Sequence, residues 1–505
     1  MSYFPKEELK KIFEEIRSRF PQLPVLGLHW GYLTNGEPSV LKEMGCVSPG
    51  AIFLSICLRV GWIFLYGFFL VLKVGFIKLY AAKTLLVLKK KKFDALAKSW
   101  IYPKSPLKPE QDFYLGDLSL RLRDEGFSLL MLCGNITGKN DLHFLSCFSR
   151  SSFPCQLPEM ALVGILDIFR TCFMQCLSAV SLFVAATKLP RSPLRSVFFL
   201  ASRDVLRGQT LHNVLYYFIA KRALSFWKPK VLVTLYEGNA WEKCLALGVR
   251  EVLPSCKIVG FHHTILRERA LDLKNPPSPV SLLKSPDCIL TTGSKTLEMM
   301  RPGYMEQTTR FVDFGSFRCE YTKEEIQKPD PDRKTLLVTP EGLISEMTIL
   351  FGRALEVAER LSDYRVVFRC HPSISFKQVS PFLNPQLLSL PNVEVSKAFS
   401  ISEDLARSSV LLYRGSSSVL YAILGGVKPF YWSEKGEEGI DPLYELDCWR
   451  TRATSLEELL TGICHYSMEP VDIRENEWRE ATKYVQDYIK PVQRESIRKL
   501  TEIFV

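Results

Sequence analysis

Short apolar runs that end in glycine, histidine or serine recur along this chain, each followed by a helical stretch or a loop. FSLLMLCGN (Phe127 to Asn135), SVFFLASRD (Ser196 to Asp204), KVLVTLYEGN (Lys230 to Asn239), CKIVGFHHT (Cys256 to Thr264), CILTTGS (Cys288 to Ser294) and RFVDFGS (Arg310 to Ser316) read as strands. Continuous apolar runs of this length mark strands covered on both faces, the signature of a parallel sheet. The scheme breaks at KPDPDRK, Lys328 to Lys334, and then resumes. TLLVTPEG, RVVFRCHP, VEVSK, VLLYRGSSS and KPFYW are the later strands. Between the first two, Met347, Leu350, Ala354, Ala358 and Leu361 fall at the three-and-four spacing of one buried helix face. A last helical pattern runs from Asn476 to Phe504 and is interrupted near Pro491. Alternation on both sides of one linker predicts an α/β protein of two Rossmann-like domains facing a cleft. At 505 residues the chain is also too long for one ordinary core.

One segment does not fit the alternation. Ala51 to Leu88 is almost wholly apolar and is followed at once by Lys89 to Lys92. Only thirteen uncharged residues separate Arg59 from Lys73, short of the roughly 20 that a spanning helix needs. Lys73, Lys78 and Lys83 then recur on a shared flank. A basic, aromatic-rich helix lying in the membrane interface accounts for this pattern. A buried helical hairpin with lysines snorkelling to water is the alternative. A second apolar segment, Leu162 to Thr187, is a candidate partner helix. The divisions expected are an N-terminal amphipathic segment 1–50, an apolar helical insertion 51–100, an acceptor domain 101–325, a nucleotide-sugar domain 326–470 and C-terminal helices 471–505.

The 14 cysteines form no CxxC pair and no zinc-type cluster, which favours a reducing compartment. The first twenty residues have no apolar core of a secretory signal. A net charge of +11 suits an anionic ligand or membrane surface. The basic residues gather beside apolar helices, an arrangement that argues against nucleic-acid binding.

Chemistry concentrates where strands end. Arg414, Gly415, Ser416, Ser417 and Ser418 turn a strand into a short helix, with a glycine for close backbone approach and hydroxyls to donate. Ordinary helix capping by Ser416 or Ser417 is the plainer reading. Arg369 and His371-Pro372 end another strand, where charge and imidazole can meet one anion. Glu341-Gly342 ends a third, the glutamate accepting from a sugar hydroxyl or capping a helix. In the first half, Glu237 and His263 are general-base candidates at strand ends, each also explicable as a helix cap or a satisfied structural residue. Asp117 and Asp313 are weaker candidates. No DxD-type motif sits at a strand end, so a metal-independent site is expected.

With these residues the chain resembles the GT-B glycosyltransferases of bacterial surface polysaccharide biosynthesis. Its Glu-Gly turn, His-Pro turn and serine pair are similar to those of polysialyltransferases, Kdo-type transferases and CDP-glycerol polymerases. YLGDL (Tyr114 to Leu118) and YEGNAWEK (Tyr236 to Lys243) are similar to surface carbohydrate biosynthesis proteins. The resemblance implies that His371, Pro372, Ser416 and Ser417 bind the nucleotide of a CMP- or CDP-linked donor. It implies a nucleotide sugar as substrate with no further cofactor, and a glycan or lipid-linked acceptor. Together with the apolar segment and its lysine run, it gives an expected place on the cytoplasmic face of the cell membrane, contacted through residues 51–92. The serine run departs from the family pattern in being triple and preceded by Arg-Gly, and the apolar insertion has no counterpart. A nucleotide-sugar epimerase on the same scaffold and a non-catalytic polysaccharide-assembly protein are the rival readings.

Overall fold

The structure is a computed structural model and describes residues 48–101, 111–135, 145, 155–268, 270–274, 286–304, 308–319, 326–372, 374–434 and 440–504. The amphipathic segment expected over 1–50 lies outside these residues except at its last three positions.

Two all-parallel sheets form the frame. The first contains β1 (Ala95–Ile101), β2 (Leu129–Asn135), β3 (Cys155–Pro158), β4 (Val231–Leu235), β5 (Lys257–Phe261), β6 (Cys288–Thr291) and β7 (Arg310–Asp313). Its spatial order is β3-β2-β1-β4-β5-β6-β7. The second contains β8 (Thr335–Thr339), β9 (Arg365–Phe368), β10 (Val393–Val395), β11 (Val410–Tyr413), β12 (Lys428–Trp432) and β13 (Thr451–Ala453), ordered β10-β9-β8-β11-β12-β13. Both follow the doubly wound 3-2-1-4-5-6 pattern, so each has a switch point where the strand order reverses. These lie between β1 and β4 and between β8 and β11. The chain is therefore a GT-B-like protein of two Rossmann-like units.

Strand β1 was not legible in the sequence and corrects the expected boundary at residue 100. ALAKSWI carries a lysine in mid-strand, yet Lys98 is 1% exposed. Its ammonium pairs with Glu159 at 3.1 Å and lies 3.4 Å from the centre of the Trp100 ring. A buried charge partnered this way can sit in a central strand. A second correction concerns Ser196 to Asp204, expected as a strand. It belongs to a helix, Pro193–Asp204, with Ser192 accepting from the Arg195 N–H at its start and Pro193 in the first turn. A short apolar run does not by itself separate a buried helix from a strand, and here the cap decides.

The helices used below are α1 (Pro49–Leu88), α2 (Ile165–Lys188), α3 (Gly208–Trp227), α4 (Ala240–Val252), α5 (Ile344–Arg360), α6 (Ile401–Ala406), α7 (Ser418–Leu424), α8 (Val471–Tyr488) and α9 (Arg494–Thr501). Helix α8 buries Trp478, Ala481, Val485 and Tyr488 in the core of the second unit. The chain then recrosses, with the Ser316 N–H donating to Lys490 O at 2.7 Å. Helix α9 buries Ile497 and Leu500 in the first core. This return strap fixes the two units across the cleft.

Candidate functional site

The turns after β4, β5, β8, β9 and β11 face one another across a cavity of about 430 Å³. Glu237, Asn239, Thr264 and Arg267 come from the first unit. Glu341, Gly342, His371, Gly415, Ser416 and Ser417 come from the second. Glu237 follows β4, while Glu341 and Gly415 follow β8 and β11, so both switch points open into the same space.

The first wall is built around a carboxylate, Glu242, that no strand-end pattern marks. Glu242, in the first turn of α4, accepts the backbone N–H groups of Glu237, Gly238 and Asn239 at 2.9–3.1 Å. Burial pushes its carboxyl up to about 8, with the charge of Glu237 adding to the effect. Because Glu242 caps the helix, Glu237 is released from that duty and lines the cavity. Its carboxylate is oriented by Asn239 Nδ2 at 3.0 Å and by His263 Nε2 at 3.3 Å.

His263 stands behind Glu237, with the Tyr114 ring tilted against it at 4.8 Å between centroids. Burial, reinforced by the nearby charge of Arg318, depresses its pKa to about 3, so the ring is neutral at pH 7. The buried Nδ1 has no hydrogen-bond partner, and Nε2 faces a carboxylate. The proton therefore belongs on Nε2, the nitrogen that faces Glu237. His262 is buried beside it, bonded through Nδ1 to the Tyr236 carbonyl at 3.0 Å, and burial lowers its pKa to about 4.

The second wall is made by backbone shape. Gly415 has φ +48°, and a Cβ there would lie 1.8 Å from Glu341 Oε1. Only glycine lets the Glu341 carboxyl lodge against this turn. Glu341 also meets Arg267 of the first unit, an ion pair across the cleft at 2.5 Å. Burial raises the Glu341 carboxyl above its usual range and Arg267 opposes that shift. A Cβ on Gly342 would approach His371 Nδ1 to 2.8 Å, so the Glu-Gly and His-Pro turns lean on each other. The Ile374 N–H donates to His371 O at 2.9 Å and closes a turn with Pro372 at its second position. Burial, then the Arg318 charge, lowers the His371 pKa, which leaves a neutral imidazole at the cavity.

Four expected binding residues stand elsewhere. Arg414 is 1% exposed, paired with Glu346 at 2.6 Å and turned into the core. An arginine just after a strand reads as a ligand group, but the side chain points away from the turn its backbone makes. Arg369 is spent on α6, bonding Asp404 and the Ser400 carbonyl at 3.1 Å. Pro372 is exposed and shapes its turn without lining the cavity. Ser418 is buried between Ser416 Oγ and Thr339 Oγ1, 2.8 Å from each. Asp117 is bonded to Arg121 at 2.7 Å and Asp313 to Lys490 at 2.6 Å, both as scaffold. Among the described residues no three His, Cys, Asp or Glu side chains gather as a metal ion would require.

Among the described residues, the cations lining the cleft are instead Arg267 and Arg318. Arg318 lines a small adjoining cavity with His263 and Ser417, its guanidinium 5.1 Å from the Phe113 ring centre. Arg267 was within reach of sequence reasoning, since it stands in the loop directly after FHHT. Arg318 follows the FGS turn and carried no such signal.

No protein-family model matches this chain, and no curated protein matches it in sequence. Several solved structures resemble it in backbone. UDP-GlcNAc 2-epimerase from Neisseria meningitidis bound to UDP-GlcNAc matches with TM-score 0.45 at 10% identity, over 81% of this chain and 99% of that one. UDP-GlcNAc 2-epimerase from Methanocaldococcus jannaschii matches with TM-score 0.42 at 12% identity, over 78% and 98%. TcCGT1 in complex with UDP matches with TM-score 0.45 at 11% identity, over 82% and 99%.

Proposed function

We propose that this chain is a glycosyltransferase that moves a sugar from a nucleotide-activated donor, of CMP or CDP type, to a glycan or lipid-linked acceptor. One observation carries the reading. A single cavity joins a donor-rich turn on the second unit to an oriented carboxylate on the first. The nucleotide phosphate sits at Ser416, Ser417 and the Gly415 turn, with Arg267 as counter-charge and the neutral His371 as hydrogen-bond partner. Glu237 takes the proton of the acceptor hydroxyl. The acceptor oxygen then bonds the anomeric carbon as that carbon's bond to the phosphate oxygen breaks, and the released charge stays on the nucleotide. His263 positions Glu237 and does not itself meet the substrate. The twelve free cysteines among the described residues suit a cytoplasmic location.

Epimerisation of a nucleotide sugar is the second reading. Two carboxyl groups, Glu237 and Glu341, line the same cavity and are the pair needed to remove and return a proton at a sugar carbon.

A thermal-shift screen with CMP, CDP, UDP, GDP and their sugars tests the site. A ligand at one hundred times its Kd adds about 2.7 kcal/mol of stability. A selective shift that Ser417→Ala and His371→Ala both abolish is expected; an equal shift in all three proteins would refute the assignment. Incubation in D2O without acceptor separates the two reactions. Deuterium entering the sugar ring would decide for epimerisation, and none is expected for transfer.

A further inference from the structure

We infer that α1 and α2 together form a monotopic docking face that lies flat on an anionic lipid bilayer without crossing it. The face concerns where the protein sits and is independent of the reaction proposed above.

Four basic residues, Arg59, Lys73, Lys78 and Lys83, interrupt a circumference of helix α1 that is otherwise largely apolar. Such a helix is buried in protein or in lipid, and here each medium takes one side. Ile52, Ile56, Ile63, Gly67, Leu70, Val74, Ile77, Ala81 and Leu88 are buried, the residues of one continuous stripe. All but the glycine belong to the core of the first unit. The other side exposes fourteen large apolar side chains by more than a third, Trp62, Phe68 and Phe69 among them.

Helix α2 packs antiparallel along α1. Gly67 meets Cys172 and Ile168, and the Phe53 and Phe183 rings lie 5.7 Å apart. It exposes eight more large apolar side chains, including Phe169 and Phe173. The two exposed stripes adjoin, and a patch of this extent on a soluble monomer marks an interaction surface.

The charges name the occupant. Residues 49–88 contain no Asp or Glu. The single acid of α2, Asp167, is buried against Arg222. Exposed cations stand at both ends and within the face: Lys83 and Lys89 to Lys92 at the end of α1, Lys188 and Arg191 at the end of α2, and Arg170 between. Cations without acids around an apolar face complement anionic headgroups.

By length and composition both helices could cross a membrane. The buried stripe excludes that orientation for α1. It runs from Ile52 to Leu88, so folded protein covers one side of the helix over its entire length. At 40 residues α1 is about 60 Å long, twice the roughly 30 Å hydrocarbon core. Crossing would carry the first unit into the bilayer and set Lys83 and Arg170 at membrane depth, whereas lying flat lets them reach the headgroups.

Flotation of the full chain with phosphatidylcholine vesicles, with and without phosphatidylglycerol, tests the inference. Binding is expected with the anionic vesicles and should weaken as salt is raised. Replacing Lys89, Lys90, Lys91 and Lys92 by glutamine should weaken it about tenfold or more. Phe68→Ser with Phe69→Ser should reduce it even at low salt. Both variants alter exposed positions and should keep the parent circular dichroism and nucleotide-induced thermal shift, so that a docking failure is distinct from a failure of the site. Absence of flotation at low salt would overturn the inference. So would a solution dimer dispersed by the double phenylalanine variant, which would make a second copy the occupant. Protease protection of a segment inside sealed vesicles would overturn the flat orientation.

Discussion

The two walls of the cleft share one topology and use opposite materials. On the first unit, side chains do the positioning: buried Glu242 gathers three backbone N–H groups, and buried His263 and Asn239 aim the Glu237 carboxylate. On the second, backbone conformation does it. Gly415 in the left-handed region and Gly342 beneath His371 bring the turns together, while Arg414 is committed to the core and Arg369 to α6. A wall made of buried ionisable groups is sensitive to chemistry and pH; a wall made of glycine turns is sensitive to the addition of a single methyl group.

Five experiments probe this contrast. Glu237→Gln should lower turnover by roughly 10²–10⁴-fold while leaving the nucleotide-induced thermal shift intact, since it removes the base and spares the second wall. A fall in nucleotide affinity instead would place Glu237 in binding. Glu242→Leu should destabilise the fold by about 3 kcal/mol in urea denaturation, because the N–H groups of the Glu237 turn lose their acceptor. An unchanged midpoint would mean that those groups find water.

Gly415→Ala strains the backbone and displaces Glu341, at a cost of about 1–3 kcal/mol. It should weaken nucleotide binding about tenfold or more by titration calorimetry while the Glu237 turn is undisturbed. Normal affinity in this variant would show that the turn is not the phosphate site.

Acid should act on the first wall. His262 and His263 have folded pKa values, about 4 and about 3, below the ordinary 6.5. The unfolded chain therefore binds more protons below pH 6.5. The stability these residues contribute is complete above that value and is lost as pH falls toward 4 and 3, with a slope of roughly 1.4 kcal/mol per pH unit for each histidine. Urea midpoints at pH 7, 5 and 4 should show the loss, and His262→Asn should flatten it. The smallest effect belongs to Arg414→Met combined with Glu346→Leu. Replacing the buried pair by apolar groups should change nucleotide affinity by less than about threefold; a larger loss would return Arg414 to the site.

Much of this was legible in the chain. Strand-end turns such as YEGN, FHHT, PEG, RCHP and YRGSSS announce themselves because an apolar run must stop where the sheet does, and a doubly wound sheet sends those stops to one edge. This strand-end pattern marks Glu237, Glu341, Gly342, His371 and the Gly415–Ser417 turn, all of which line the cavity. It erred on side-chain direction: Arg369 and Arg414 occupy the right turns and point the wrong way, toward Asp404 and Glu346. It missed Glu242, whose helix position looks like solvent-facing surface until the turn folds over it. It missed β1, whose lysine is tolerable because Glu159, distant in sequence, pairs with it while the neighbouring Trp100 ring lies against it.

Local pattern alone therefore determined two parallel α/β units, the residues at their carboxyl edges and the apolar character of residues 51–88, since each follows from periodicity and from what a turn requires. Tertiary structure decided which of those residues face the cleft, which charges neutralise one another in the cores, and that α1 is covered on one side along its whole length. Those outcomes depend on partners tens to hundreds of residues away, and no local pattern encodes where a side chain's partner will be.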